Sequence, residues 1–197
     1  MENDKVHLKE IAWPDFDIPA DKIVPEPLAS EIEERLMKCR EMMDSRNLTH
    51  LIVYGDKEYF ANLMYLAHFD PKFEEALLII SSKDAPLILV GNECVDHLSV
   101  SPLYNSGGLR HERYQPFSLI SQPRDQSRPL KSIFECEGIN RGSKIGCIGW
   151  KYFSDIEFQN PEKTIEIPSY IVEILRSICG FDHVEYTGYC SPFFSEL

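Results

Sequence analysis

The sequence has no long apolar run. Its 197 residues contain no stretch close to the roughly 20 apolar residues that a membrane-spanning helix requires, so we expect no membrane partner. The first ten residues, MENDKVHLKE, are charged and contain no apolar stretch of the kind that secretory signals carry. We therefore expect a cytoplasmic protein.

The sequence also has little positive charge. There are 20 Lys and Arg residues against 32 Asp and Glu residues, which gives a formal net charge of −12. Most of such a surface would repel a phosphate backbone, and no cluster of Lys or Arg offsets the repulsion. We expect no nucleic-acid partner.

The cysteines show no metal-binding or redox spacing. None of the six forms a C-x-x-C pair, which excludes the usual zinc-ribbon and thioredoxin-like motifs. Cys39, Cys147 and Cys179 fall on apolar faces of predicted elements, where a thiol packs as a small apolar side chain. We interpret all six cysteines as structural.

Motifs that carry catalysis are absent as well. The sequence contains no G-x-G-x-x-G, no phosphate-binding P-loop, no G-x-S-x-G and no H-E-x-x-H. On a strand, the adjacent side chains of Asp96-His97 and of His111-Glu112 would point to opposite faces, so neither neighbouring pair indicates a site by itself. We predict no catalytic residue, no metal ligand and no cofactor in this chain.

What the sequence does contain is an alternation of helical and strand patterns. Apolar residues at 32, 36, 39 and 43 predict a helix that starts at a capping box of Ser30 and Glu33, and Asn47 suits its left-handed end. A strand at 51–54 follows, and Asp56 is expected to cap a short helix that runs to Leu63. The apolar runs 76–80 and 87–90 predict a buried hairpin.

The second half of the chain continues the alternation. The patterns predict a helix at 92–98, a strand near Leu109, a helix from Pro129 to Gly138, a strand at 145–148, a helix from Pro168 to Gly180 and a strand at 184–186. The predicted fold is a three-layer α/β/α domain with a mixed sheet over residues 30–197. Residues 1–29, which contain four prolines together with Trp13 and Phe16, are predicted to form an extension.

The order of motifs from Arg35 to Val90 resembles the opening of the N-terminal domain of the creatinase/prolidase/aminopeptidase P family. The helix of Arg35–Met43 leads into the strand of Leu48–Val53, the segment NLMYLAHF follows at 62–69, and the hairpin of Glu75–Val90 closes the succession. Each motif is loose, and their order and spacing carry the resemblance. His68 departs from the family pattern, because a small residue, usually Gly, is expected at that position.

The resemblance implies a ribonuclease H-like, creatinase N-terminal type of fold and a parent protein of two domains. In the family, a C-terminal pita-bread domain holds two divalent metal ions through two Asp, one His and two Glu residues. None of these ligand motifs can be matched here, and the chain ends at Leu197, about where the catalytic domain would begin. The resemblance therefore implies a non-catalytic domain of a metal-dependent Xaa-Pro peptidase, whose partners are its own catalytic domain and further copies of itself.

By position in the family pattern, Tyr65, His68 and Phe69 are the candidates for an active-site wall or a subunit contact. The competing interpretation is that Tyr65 and Phe69 are core aromatics and that His68 lies in an exposed loop. An alternative function also stays open, in which the chain is a protein-interaction module of a peptidase-like protein that has lost catalysis.

Overall fold

The structure, a computed structural model, describes residue 9 and the ranges 26–151 and 153–187. Most of the predicted extension, with Trp13 and Phe16, lies outside the described residues, and so does Cys190. The division of the chain at residues 29 and 30 therefore stays a prediction.

Helices and strands alternate along the described residues much as the sequence predicts. In chain order they are α1 (Ala29–Ser45), β1 (His50–Asp56), α2 (Ala61–Ala67), β2 (Glu75–Ser81), β3 (Leu87–Val90), α3 (Cys94–His97), α4 (Pro102–Asn105), β4 (Arg110–Arg113), α5 (Leu130–Cys136), β5 (Ile145–Ile148), α6 (Ser169–Cys179) and β6 (Val184–Tyr186). None of the described helices combines the length and the apolar character needed to cross a membrane.

The strands form one sheet in the order β4-β3-β2-β1-β5-β6. Strand β2 is antiparallel to both of its neighbours, β1 and β3, whereas the other adjacent pairs are parallel. Within this sheet, β2 is thus antiparallel to the direction shared by the other five strands. Its first residues consequently lie at the same edge as the last residues of the other five strands.

The two faces of the sheet bury two separate cores, because successive side chains of a strand point to opposite sides. On β1, Leu51 and Val53 pack with the core beneath α1 to α4, and Ile52 packs with the core beneath α5 and α6. The two helical layers on either side of the mixed sheet confirm the predicted three-layer α/β/α class.

Local signals explain where several elements end. Asn47 has a φ of 57° and ends α1, and Gly180 has a φ of 98° and ends α6. Asn and Gly reach the left-handed region at little cost, so both positions were readable from the sequence.

Two predicted helix caps are wrong. Helix α1 begins one residue before Ser30, with Leu28 at the capping position and no capping side chain, so Ser30 lies inside the first turn and the box with Glu33 does not form. Asp56 caps a turn rather than a helix: its Oδ1 accepts the N–H groups of Glu58 and Tyr59, each at 2.8 Å, and α2 starts only at Ala61.

The helix predicted at 92–98 is also shorter than expected. It spans Cys94–His97 and continues as a 3-10 turn over Leu98–Val100. The carboxylate of Glu74 accepts the N–H groups of Glu93 and Cys94 at 3.3 and 3.0 Å, so a residue distant in sequence fixes where this helix begins.

Candidate functional site

A cleft of about 430 Å³ opens at the edge where five strands end and β2 begins. Apolar side chains from Phe73 and from the loop after β4 form part of its wall. The charged side chains that line it are Asp56, Lys57, Glu58, Glu74, Glu75 and Arg124. The reversed direction of β2 places the two glutamates at this edge.

Tyr54 and Glu75 form the polar floor of the cleft. The strand register pairs Tyr54 with Leu77 and Asp56 with Glu75, so Tyr54 and Glu75 are diagonal neighbours on one face of the sheet. The Tyr54 hydroxyl donates a hydrogen bond of 2.8 Å to Oε2 of Glu75. The pair is half-buried, since each residue keeps part of its surface at the cleft.

Burial sets the electrostatics of this pair. It raises the pKa of the Glu75 carboxyl group above its ordinary value, and nearby Asp56 adds to the rise, whereas the hydrogen bond from Tyr54 and the charge of Arg124 oppose it. Burial also raises the pKa of Tyr54, and the hydrogen bond to Glu75 adds to that effect. The phenol therefore stays protonated and remains a donor.

Two further tyrosines share this environment. The pKa values of Tyr114 and Tyr170 are raised first by burial and then by the negative charge of Glu75. Glu75 thus has three phenol groups close enough to interact with its charge. The arrangement can bind and orient a ligand through hydrogen bonds and charge. It offers no activated nucleophile.

Glu74 has a structural role instead. It is almost fully buried, and its carboxylate caps α3 as described above. A Cβ atom on Gly91 would lie 2.5 Å from Oε2 of Glu74, so a glycine at position 91 leaves the space that this carboxylate fills.

The three residues predicted as an active-site wall lie at the end of α2 and do not line the cleft. Phe69 is completely buried in the core beneath α1 to α4. Tyr65 is 38% exposed, and the guanidinium carbon of Arg35 lies 4.8 Å from the centre of its ring. His68 has a φ of 48°, and its Nε2 lies 3.7 Å from Oε2 of Glu26.

The conformation of His68 bears on its departure from the family pattern. A positive φ is the geometry for which glycine is favoured, and His68 adopts it at the C-terminal end of α2. The main chain therefore keeps the left-handed turn expected at this position. The predicted wall role of Tyr65, His68 and Phe69 stays a prediction.

Sequence reasoning missed two polar pairs. One is Tyr54 with Glu75. The other is His97 with Asp70, whose Nε2 and Oδ1 lie 3.2 Å apart. Both pairs join residues from different elements, so neither has a local spacing signal. Tyr54 and Glu75 are brought together by the register of β1 with β2, which no local pattern of the sequence predicts.

The described residues contain no group of three or more His, Cys, Asp or Glu side chains arranged to hold a metal ion. The pair of Asp70 and His97 offers two ligands, and Lys72 Nζ lies 3.1 Å from the other oxygen of Asp70. Asp70 is therefore already paired with one basic side chain on each of its two oxygens.

Comparison with known proteins rests on the three-dimensional structure, because no protein-family model and no curated protein matches the sequence. The dipeptidase PepE from Mycobacterium ulcerans is similar over 77% of this chain and 33% of its own, with 13% identity and a TM-score of 0.50. This chain thus spans about a third of the length of that dipeptidase.

Two further solved structures have lower scores. The creatinase/prolidase N-terminal domain of an X-Pro dipeptidase from Streptococcus pyogenes matches 83% of this chain and 98% of its own, with 15% identity and a TM-score of 0.47. The prolidase from Pyrococcus horikoshii OT3 matches 78% of this chain and 32% of its own, with 12% identity and a TM-score of 0.47. At these identities a likeness concerns the fold alone. The likeness to the dipeptidase PepE therefore supports the expected resemblance, and it does so for the fold alone.

Proposed function

We propose that this chain is the non-catalytic N-terminal domain of a metal-dependent Xaa-Pro peptidase, and that it walls the active site of that enzyme. The observation that carries the proposal is the shared fold with a third of the dipeptidase PepE. The order of motifs from Arg35 to Val90 supports it independently of the coordinates. In such a parent, two divalent metal ions and the hydrolysis belong to the catalytic domain.

The carboxyl-end edge of the sheet is the surface that we propose to face the catalytic domain. Tyr59, Phe73, Ile120 and Trp150, which lie at strand ends or in the adjoining loops, are all at least partly exposed there. The rings of Tyr59 and Trp150 stack with centres 4.0 Å apart and an interplanar angle of 4°. An aromatic pair held flat in this way loses little side-chain freedom when a partner packs on it.

The three candidate wall residues divide into two roles in this proposal. Tyr65 and His68 reach the surface and can contact a substrate or a neighbouring subunit, whereas Phe69 supports them from the core. We propose homo-oligomers on the same basis, with the surface of α2 as a subunit contact.

The cytoplasm is the proposed location, since the buried thiols of Cys39, Cys94, Cys147 and Cys179 suit a reducing compartment.

The first experiment compares residues 1–197 with the full-length gene product. Both are assayed for hydrolysis of Xaa-Pro dipeptides in the presence of Mn²⁺. We expect turnover by the full-length protein and none by residues 1–197. Hydrolysis by residues 1–197 themselves would contradict a non-catalytic role.

Reading the codons that follow Leu197 separates the proposal from its alternative. Five intact metal ligands, two Asp, one His and two Glu, favour the peptidase. Their loss in an otherwise similar downstream sequence favours a protein-interaction module.

The wall role of His68 has its own test in the full-length protein. Replacing His68 with Gly keeps the left-handed backbone and removes the ring, so we expect a several-fold change in KM with a smaller change in kcat. Met37→Ala, on the exposed face of α1, is the matched control. Kinetics that His68→Gly leaves unchanged would remove His68 from the wall.

A further inference from the structure

The cleft at the carboxyl-end edge has the size of a small-molecule site. Its volume of about 430 Å³ lies within the range of roughly 300–1,000 Å³ that such sites occupy. Phe117 and Leu119 give it an apolar wall, and Tyr54 and Glu75 give it a polar floor. Apolar walls around a few convergent polar groups are the usual composition of a ligand site.

One oxygen of Glu75 remains available at the floor. Oε2 accepts the Tyr54 hydroxyl, but among the described residues none donates a hydrogen bond to Oε1. Oε1 also keeps some contact with solvent. Among the described residues, the side-chain N or O atom that is fully buried without a hydrogen-bond partner is Nε of Arg176, not Oε1 of Glu75. A carboxylate oxygen that is half-withdrawn from water and unsatisfied accepts strongly from a charged donor.

The surroundings of Glu75 favour a cation over an anion. Four carboxylates and two basic side chains line the cleft, and Lys57 is already near Glu58, with Nζ 4.0 Å from Oε1. The ring of Tyr54 lies beside Glu75 at the floor, Phe73 and Phe117 line the cleft, and aromatic rings attract organic cations. A hard metal ion would need several more oxygen ligands than Glu75 supplies.

We propose that this cleft binds a small organic ammonium ion, whose N–H group donates to Oε1 of Glu75 and whose carbon chain packs against Phe117 and Leu119. The cleft lies at the edge that we propose to face the catalytic domain, but all of its lining residues belong to this chain, so binding is tested on residues 1–197 without peptidase activity. Arg124, at the rim, can add a contact for ligands that also carry an anionic group.

Ligand isosteres test the proposal directly. Residues 1–197 are titrated with n-butylammonium, n-butanol and butyrate, and backbone amide shifts are followed by NMR. We expect saturable shifts at residues 54–58, 74–77 and 114–120 with n-butylammonium, and binding at least tenfold weaker with the neutral and anionic isosteres. Equal responses to n-butylammonium and n-butanol would show apolar partitioning alone and would overturn the proposal.

Variants of the floor add a second test. Glu75→Gln keeps the shape and removes the charge, so n-butylammonium should bind at least tenfold more weakly. Glu41→Gln makes the same change on the exposed face of α1 and should leave binding within twofold. If Glu75→Gln does not fold, Glu75→Asp withdraws the carboxylate by one methylene group and should weaken binding severalfold. Undiminished binding in a folded Glu75 variant would overturn the proposal.

The pH dependence provides a third readout. Binding should strengthen as pH rises through the raised pKa of Glu75, because the ionised carboxylate is the acceptor. The groups that act on this carboxylate are Tyr54 and Asp56 from β1, Tyr114 after β4, Arg124 in the following loop and Tyr170 on α6. Affinity that does not change between acid and neutral pH would contradict Glu75 as the acceptor.

Discussion

Tyr54 and Glu75 are joined across two antiparallel strands by a hydrogen bond of 2.8 Å from the phenol to the carboxylate. Tyr54 lies near the end of β1 and Glu75 is the first residue of β2. The bond therefore joins the two strands at the edge of the sheet where the β1–β2 connection leaves and returns. It is also the contact that holds the carboxylate of Glu75 in place at the floor of the cleft.

Replacing Tyr54 with Phe should cost about 1 kcal/mol of unfolding free energy at pH 8, because it removes a half-buried hydrogen bond to an ionised acceptor. The pKa of Glu75 should rise further, since the bond from Tyr54 lowers it. Urea unfolding measures the first effect and a side-chain carboxyl NMR titration the second. Tyr59→Phe, which changes a stacked and partly exposed ring, is the control. Equal losses in both variants would show that the bond to Glu75 contributes nothing specific.

His50 should make the stability of the domain fall in mild acid. Burial lowers its pKa below the ordinary 6.5, although the Glu137 carbonyl and the charges of Glu137 and Asp84 oppose this effect. Nε2 lies 3.0 Å from that carbonyl, which can only accept, so the neutral ring carries its proton there. The unfolded chain binds a proton more readily than the folded one. The stabilising contribution is therefore complete above pH 6.5 and is lost as pH falls through the lowered folded-state pKa.

The measurement is the unfolding free energy of the native protein and of His50→Gln between pH 4 and 8. The difference between the two should shrink towards acid pH. His111→Gln, on the exposed edge strand β4, is the control for the loss of an imidazole ring that is not buried. A constant difference for His50→Gln would indicate that its pKa is the same in the folded and unfolded chain.

Phe69 and Tyr65 should differ sharply in their effects on stability. Phe69→Ala removes a completely buried ring and should cost about 3–5 kcal/mol. Tyr65→Ala removes a partly exposed ring whose best-defined contact is Arg35, and should cost about 1 kcal/mol. Chemical denaturation of both variants gives the comparison. A small loss for Phe69→Ala would contradict its place in the core.

Gly149→Ala should destabilise the domain by about 1–3 kcal/mol, because a Cβ atom at this position would clash with the backbone oxygen of Glu166. Gly149 also accepts a hydrogen bond of 2.8 Å from Asn62, and the next residue, Trp150, donates its N–H to Glu166. The substitution should therefore disturb the stack of Trp150 on Tyr59, which near-ultraviolet circular dichroism reports. Gly142→Ala, where the nearest atom would be Oδ1 of Asn140 at 3.3 Å, is the control. A loss no larger than that of Gly142→Ala would contradict the close approach.

The sequence predicted those parts of the fold that rest on local patterns. The two apolar runs around Leu78 and Ile88 predicted buried strands, and Asn47 and Gly180 marked helix ends through their backbone preferences. The failures came where two local solutions compete. Ser30 has the right chemistry for a cap, but Leu28 accepts the first backbone hydrogen bonds of α1, from Glu31 and Ile32.

The candidate site could not be predicted in the same way. Glu75 looks like an ordinary charged residue at the start of a strand, and nothing beside it in the sequence indicates burial. Its surroundings arise from tertiary packing that brings Tyr54, Tyr114 and Tyr170 together from three parts of the chain. A prediction would have required the strand register and the direction of β2, not only the positions of the strands.

The strand order also has a consequence for how the chain folds. Strands β1 to β4 are neighbours in the sheet in the same order as in the sequence, so this half assembles through the connections 57–74, 82–86 and 91–109. Strand β5, however, pairs with β1 on the far side of that unit, and the connection 114–144 must cross the sheet to bring it there. Among adjacent strands, β5 and β1 are thus the pair with the largest separation in sequence, and we expect their pairing to form late. Only afterwards does β6 have an edge on which to form.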